Sequence, residues 1–188
     1  MNKRTRGIRV LLINAYDMPE AKKQFLAGKW PGHHLFGTLE LERTHLMDVI
    51  IPDHVLFPIL NRVGSWFDIP FLDQEIRVLL MLRKCDIIYA PYANANTKLL
   101  ILLKSLGLIR KPIVILVHHE LFGKPSNNRI KYLLAKKFIL NYDFIIFLSR
   151  RMKEKLINAY NVNAEHVRQK FSHTAWSADV TFYDRYAS

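Results

Sequence analysis

The stretch Ile113–Val117 reads IVILV, five apolar residues in succession, and stops at His118, His119 and Glu120. A strand with one face in water alternates apolar and polar residues, whereas an unbroken apolar run has to be covered on both faces. The same pattern recurs at Ile8–Asn14, Asp48–Ile51, Asp86–Ala90 and Phe144–Leu148, with a weaker version at Val167–Ser172. Amphipathic stretches separate these runs. Helices are predicted over Leu35–His45, Asp73–Lys84 with Asp73 as N-cap, Asn96–Leu106 closed by Gly107, Asn128–Leu140, and Arg150–Tyr160 capped by Ser149. In the last of these, Met152, Leu156 and Tyr160 share one stripe. Strands alternating with helices predict an α/β fold with a doubly wound, mostly parallel Rossmann-like sheet.

Two segments break the rhythm: AYDMPEAKKQFLAGKWPG after the first strand and PDHVLFPILNRVGSWFDIPFL after the second. Both read as long irregular loops, and the aromatic residues of the second argue for packing. Cys85 is the single cysteine, so no internal disulfide and no cysteine-based zinc site can form, and a reducing compartment fits. MNKRTR is basic like the start of a signal peptide, but the apolar stretch Val10–Ile13 is too short to complete one. No window approaches the ~18 apolar residues of a membrane span. A cytoplasmic location is expected, with a peripheral place on the inner face of a membrane as the variant.

Lysine and arginine total 28 against 16 acids, a net charge of +12, which points to an anionic partner. Arg129, Lys131, Lys136, Lys137, Arg150, Arg151, Lys153 and Lys155 fall in one third of the chain. The first four are interleaved with Ile130, Leu134 and Phe138 and form no single stripe on a helical wheel. They read either as a solvated face whose lysine stems cover apolar surface, or as a face that docks on anionic headgroups. Nucleic acid is disfavoured, because no RNP-type aromatic motif, zinc finger or helix-turn-helix is present.

In an open parallel sheet, ligands bind beyond the carboxyl ends of the strands. The first strand ends in Asn14 and Tyr16, the third in Tyr92 and Asn94, the fourth in His118, His119 and Glu120, and the fifth in Ser149 and Arg150. These polar groups are expected to converge on one edge as the rim of a cleft. Adjacent residues leaving a strand point in opposite directions, so one of His118 and His119 faces the cleft. As a catalytic group that imidazole could bond a sugar hydroxyl or phosphate or move a proton near neutral pH; otherwise it is a buried histidine tied to a loop carbonyl. His-His-Glu lacks the helical spacing of a zinc site, so no metal is expected. In WPGHHLFG, Gly32, His33 and His34 open the second candidate site, a helix start whose amides could take a phosphate or hydroxyl, or simply begin a helix. Gly28, Gly32 and Gly37 are wrongly spaced for a dinucleotide fingerprint.

Taken in order, VLLINAY…WPGHHLFGTLELERTH, CDIIYAPYANANTKLLILLKSLGLIRKPIVILVHH, YDFIIFLSRRMKEKLI and WSADVTFYD resemble the N-terminal half of a GT-B glycosyltransferase of the retaining group called family 4. The resemblance covers essentially the whole chain. It implies that His118, or else His119, lies near the donor sugar, and that Gly32, His33 and His34 form the loop facing acceptor and donor phosphate. Family members often carry two adjacent glycines there; this chain has Pro31-Gly32, and Ser177 replaces a glycine of the tail motif. The resemblance also implies a second Rossmann-like domain with an E-x(7)-E acidic pair, which nothing in this chain matches. The expected organisation is therefore an acceptor-side domain over 1–175 and a tail over 176–188 leading towards that domain. The chain would be a truncated product, an expressed fragment or half of a split enzyme.

The function so implied is sugar transfer from a nucleotide-sugar to a glycan or lipid-linked acceptor, in polysaccharide or glycolipid biosynthesis. No cofactor beyond the donor substrate is needed, and the chain alone is expected to be inactive. The competing expectation is a basic non-catalytic module that docks on an anionic membrane surface or a partner protein.

Overall fold

A computed structural model describes residues 7–43, 47–91, 96–117 and 125–174. Strands β1 (Ile8–Leu12), β2 (Met47–Ile50), β3 (Ile87–Ala90), β4 (Ile113–Val117), β5 (Phe144–Phe147) and β6 (Phe171–His173) form one sheet in the order β2-β1-β3-β4-β5-β6. Every neighbouring pair is parallel. The helices are α1 (Met18–Leu26), α2 (Thr38–Arg43), α3 (Pro58–Trp66), α4 (Leu72–Met81), α5 (Lys98–Ser105), α6 (Arg129–Asn141), α7 (Arg150–Tyr160) and α8 (Ala164–Lys170). Short 3-10 turns occupy Gly32–Leu35 and Leu82–Lys84. The expected Rossmann-like α/β architecture is the observed one.

The unbroken apolar runs are explained by the two cores. Leu11 and Ile13 point to one face of the sheet with Ile88, Ile113, Ile115, Ile145 and Phe147, where Val78, Leu100, Ile101, Ile139, Leu156 and Tyr160 of α4 to α7 cover them. Val10 and Leu12 point to the other face with Tyr89 and Leu116, under Met18 and Ala21 of α1 and Leu35 of the first 3-10 turn. Leu11, Leu12 and Ile13 are wholly buried, each such side chain stabilising the fold by roughly 1.5–3 kcal/mol. Arg9 bonds Asp86 through its backbone N–H at 2.9 Å and pairs with it at 3.1 Å, which fastens β1 to the start of β3.

Several sequence expectations are corrected. The first long loop contains α1: Asp17 Oδ1 accepts the N–H of Glu20 at 2.9 Å, and a proline occupies the first turn. The second contains α3. The helix expected over Leu35–His45 begins only at Thr38, because Phe36 (φ 52°) and Gly37 (φ 78°) are left-handed and end the preceding 3-10 turn. Asp73 is not an N-cap; α4 starts one residue earlier, with Phe71 before it. The Asp73 carboxylate instead accepts the N–H of Leu56 at 2.9 Å and pairs with Arg77 at 2.8 Å, holding the loop that precedes α3. The weak strand Val167–Ser172 is mostly α8, with β6 compressed into Phe171–His173. Ser149, Gly107 and the Met152–Leu156–Tyr160 stripe behave as the sequence suggests. Ser149 Oγ accepts the N–H of Met152 at 3.2 Å, Gly107 (φ 76°) follows the end of α5, and Leu156 and Tyr160 are buried.

Candidate functional site at the β1–β3 crossover

The chain leaves β1 towards β2 on one side and later crosses back to β3 on the other. Because all the strands run one way, this crossover opens at the carboxyl edge of the sheet, the place where open α/β sheets bind ligands. Ile13 extends the ladder by one residue, its N–H donating to Tyr89 O at 3.0 Å. Asn14 then turns the chain. It is wholly buried, its Oδ1 accepts the N–H of Ala15 at 2.6 Å, and its Nδ2 points to Met18 Sδ at 3.2 Å. Asn14 is thus a positioning group, bonded within its own turn.

Tyr16 follows at the rim, its ring centroid 6.1 Å from that of Phe36. Asp17 starts α1, which returns the chain to Trp30 and the turn at Gly32. In that turn His33 and His34 lie with ring centroids 4.3 Å apart, and Trp30 lies 5.3 Å from His34. Leu35 drives into the sheet face and anchors the turn. Thr38 Oγ1 donates to Leu35 O at 2.7 Å, and the Tyr89 hydroxyl donates to Phe36 O at 3.4 Å. The bend is therefore bonded to β3 across the crossover. Burial pushes the Tyr89 phenol above its ordinary pKa. Burial, and next the neighbouring His33, hold the His34 imidazole below its ordinary value.

The sequence places an α-helix N-terminus at Gly32–His34. The structure has a four-residue 3-10 turn there. Such a turn carries little of the macrodipole on which an anion site depends, so the bend's chemistry rests on its side chains. Beside it, Tyr16, Asp17, Glu20, Ala21, Gln24 and Trp30 line an open cleft of about 490 Å³. Its carboxylates are Asp17, whose Oδ1 caps α1, and Glu20, which pairs with Lys23 at 3.7 Å; no cation is among the lining residues, which suits a hydroxylated ligand better than a phosphate. Two aromatic rings at its wall can take the apolar face of such a ligand. Of these residues the sequence analysis singled out Tyr16 alone. The signal for the others was Asp17-Met18-Pro19-Glu20, a capping pattern with proline in the first turn.

Elsewhere on the carboxyl edge, β5 ends at Ser149 and Arg150. Ser149 caps α7, and Arg150 Nε bonds Glu154 Oε1 at 2.8 Å on the exposed side of that helix. β4 reaches the same edge at Val117. His118, His119, Glu120, Tyr92 and Asn94 lie outside the described residues.

A buried polar group that the sequence did not reveal supports α5, the helix that follows β3. Glu75 of α4 is wholly buried, and its Oε2 accepts the N–H of Leu100 at 2.9 Å, with further backbone bonds from Leu99 and Lys98. Beside it Asn96 Nδ2 donates to Gln74 Oε1 at 3.4 Å, and Thr97 Oγ1 lies 2.8 Å from the Tyr142 hydroxyl. Burial outweighs the backbone bonds and pushes the Glu75 carboxyl up to about 7.

A parallel sheet with a polar crossover fits many chemistries, and the fold alone does not select one. The family described as Glycosyltransferase Family 4 matches residues 5–169, from the residues before β1 into the last turn of α8. The chain belongs to glycosyltransferase family 4. The match takes in β1, the Gly32–His34 bend, the β1–β3 crossover and the whole of α7, so the elements that build the candidate site are those of a glycosyltransferase family 4 domain. No curated protein sequence matches the chain. Among the described residues, no helix of this family 4 domain is long and apolar enough to cross a membrane.

Proposed function

We propose that this family 4 domain is the acceptor-side half of a retaining glycosyltransferase, which moves a sugar from a nucleotide-sugar to a glycan or lipid-linked acceptor in polysaccharide or glycolipid assembly. The observation that carries the reading is the coincidence of the family match over 5–169 with a cleft at the β1–β3 crossover, walled by Tyr16 and Trp30 and lined by Asp17 and Glu20. Aromatic faces and carboxylates suit a sugar's apolar face and hydroxyls better than they suit a phosphate. The acceptor sits in this cleft; Gly32, His33 and His34 are assigned to the acceptor and donor-phosphate loop, a reading supported by the 5.3 Å between the rings of His34 and the wall residue Trp30. His118, with His119 as the alternate, bonds the donor sugar from the end of β4. A second domain, outside these 188 residues, holds the nucleotide and completes the cleft.

Retention of configuration needs no protein nucleophile in this scheme, because the leaving phosphate assists the incoming hydroxyl. The protein contributes orientation and charge stabilisation. The reading assigns no metal or cofactor.

The test is a transfer assay over a panel of nucleotide-sugars, with product configuration read by NMR. The 188-residue chain alone is expected to give no appreciable transfer. Joined to its donor domain it should transfer with retention, and His118→Ala should lower turnover by about 10²-fold. Robust turnover by the chain alone would refute the two-domain reading, inverted product would refute retention, and full activity of the His118→Ala enzyme would remove that residue from its role.

A further inference from the structure

Helix α6 carries a surface that sugar transfer does not require. Tyr132, Ala135, Phe138 and Ile139 turn towards the core, where Ile139 is buried and the other three pack against it. The opposite stripe presents Ile130, Leu133 and Leu134 to solvent, at 70%, 52% and 47% exposure. These positions and Lys137 follow the i, i+3, i+4, i+7 spacing of one helix face. Arg129 and Lys131 flank the stripe, both exposed, and α6 contains no acidic residue. Among the described residues Arg129, Lys131 and Lys137 form no ion pair. Lys136 is different: its Nζ donates to Asn161 O at 3.0 Å and fastens α6 to the end of α7. The helix thus sorts the basic and apolar residues that are intermixed in sequence.

The position of the patch follows from topology. β4 and β5 are parallel neighbours, so the connection between them must run back from the carboxyl edge to the amino edge of the sheet. α6 ends at Asn141, just before β5 begins at Phe144. Its 13 residues span about 20 Å, which returns its first turns to the carboxyl edge. Ile130, Leu133 and Leu134 occupy those first turns, while the stripe farther along becomes Lys137 and Asn141. The apolar patch is confined to the half of α6 nearest the rim of the candidate site.

We propose that α6 docks on an anionic lipid bilayer through its Arg129–Lys137 part, with Ile130, Leu133 and Leu134 entering the headgroup region and Arg129, Lys131 and Lys137 meeting lipid phosphates. A helix with an aliphatic stripe bordered by cations is the form that lies in a membrane interface, its long basic side chains reaching past the apolar residues to the headgroups. Nucleic acid would satisfy the cations but leave three aliphatic side chains against phosphates. Docking brings the carboxyl edge of the sheet to the bilayer surface. The inference stands on α6 alone and holds whether or not the transferase reading does.

The test is co-sedimentation of the full chain with vesicles of phosphatidylcholine, or of equimolar phosphatidylcholine and phosphatidylglycerol, at low salt and at about 0.15 M. Binding is expected to the anionic vesicles alone and to weaken with salt. The variant Arg129→Gln/Lys131→Gln/Lys137→Gln should lose affinity by about tenfold or more. Ile130→Ser/Leu133→Ser/Leu134→Ser should lose about as much with every charge retained. Unchanged circular dichroism separates lost docking from lost fold. The single variant Leu133→Trp, which keeps the face apolar, should show a blue shift of emission on anionic vesicles. No binding to anionic vesicles at low salt would overturn the proposal. So would parent-like binding by either triple variant, an unshifted emission from the Leu133→Trp variant, or binding to polyglutamate without binding to vesicles, which would assign the face to an acidic protein.

Discussion

Glu75 Oε2 accepts the backbone N–H of Leu100 at 2.9 Å, so a carboxylate from one helix closes the amino end of another, inside the protein. The bond joins α4 to α5. An internal carboxylate here satisfies amides that a helix start otherwise leaves open. It also places a titratable group in the core.

That placement has a pH consequence. The Glu75 carboxyl is pushed from an ordinary 4.5 up to about 7 by burial. Between those values the folded state holds a proton that the unfolded chain has released. Stability therefore falls as pH rises from about 4.5 to about 7 and levels off above. Glu75→Gln removes the titration. Its expected signature in urea unfolding is loss of that downward slope, and a slope unchanged by the substitution would assign the pH dependence to another group.

His34 offers a site-level reading of the same kind. Burial comes first, and His33 second, in holding its imidazole below 6.5. As pH falls through 6.5 the unfolded chain takes up the proton before the folded one does, so this group withdraws stability on the acid side. In proton NMR the His34 ring should titrate below the ordinary histidine value. His33→Asn, which removes the neighbouring charge, should move that midpoint upward; a midpoint that stays put would leave burial as its sole cause.

Gly64 tests the packing of the second long segment. It is buried within α3, and a Cβ there would meet the carbonyl oxygen of Ile69 and Cβ of Leu72. The oxygen belongs to backbone and has little room to move. Gly64→Ala is expected to destabilise the domain by about 1–3 kcal/mol, measured by urea denaturation. A neutral or stabilising result would mean that α3 shifts freely against α4.

The sheet was legible because its central strands are covered on both faces. Coverage on both sides demands apolar residues at every position, and a run such as Ile113–Val117 advertises this without reference to the rest of the chain. α7 was legible for a comparable local reason, a serine cap followed by an apolar stripe. The first irregular segment hid α1 because that helix is short and buries only Met18 and Ala21, so its apolar face spans few positions beside its polar residues. Asp73 reads as a cap from its local sequence, yet its partners are Leu56, far back in the chain, and Arg77 on its own helix. The helix expected from Leu35 failed on two left-handed residues, and Phe36 is a type that rarely adopts that conformation.

The candidate site divides along the same line. That polar groups would follow the strands at a shared edge was readable from the strand ends, since parallel pairing sends every strand out on one side. Local patterning by itself determined that much for the five clear apolar runs, which are strands and end near a common edge; the sixth, Val167–Ser172, is mostly α8. Tertiary structure decided which of the groups beyond those ends become neighbours. It put β3 beside β1, so that Tyr89 reaches Phe36 across 53 positions. It gave the Asp73 carboxylate to Leu56 and the Glu75 carboxylate to the start of α5, and it turned Ile130 and Leu134 outward while Phe138 packed inward. The physical reason is range: hydrophobic periodicity and capping act over a few residues and are written locally, whereas strand order and the partners of a buried polar group depend on segments far apart in the chain and are settled when the chain packs.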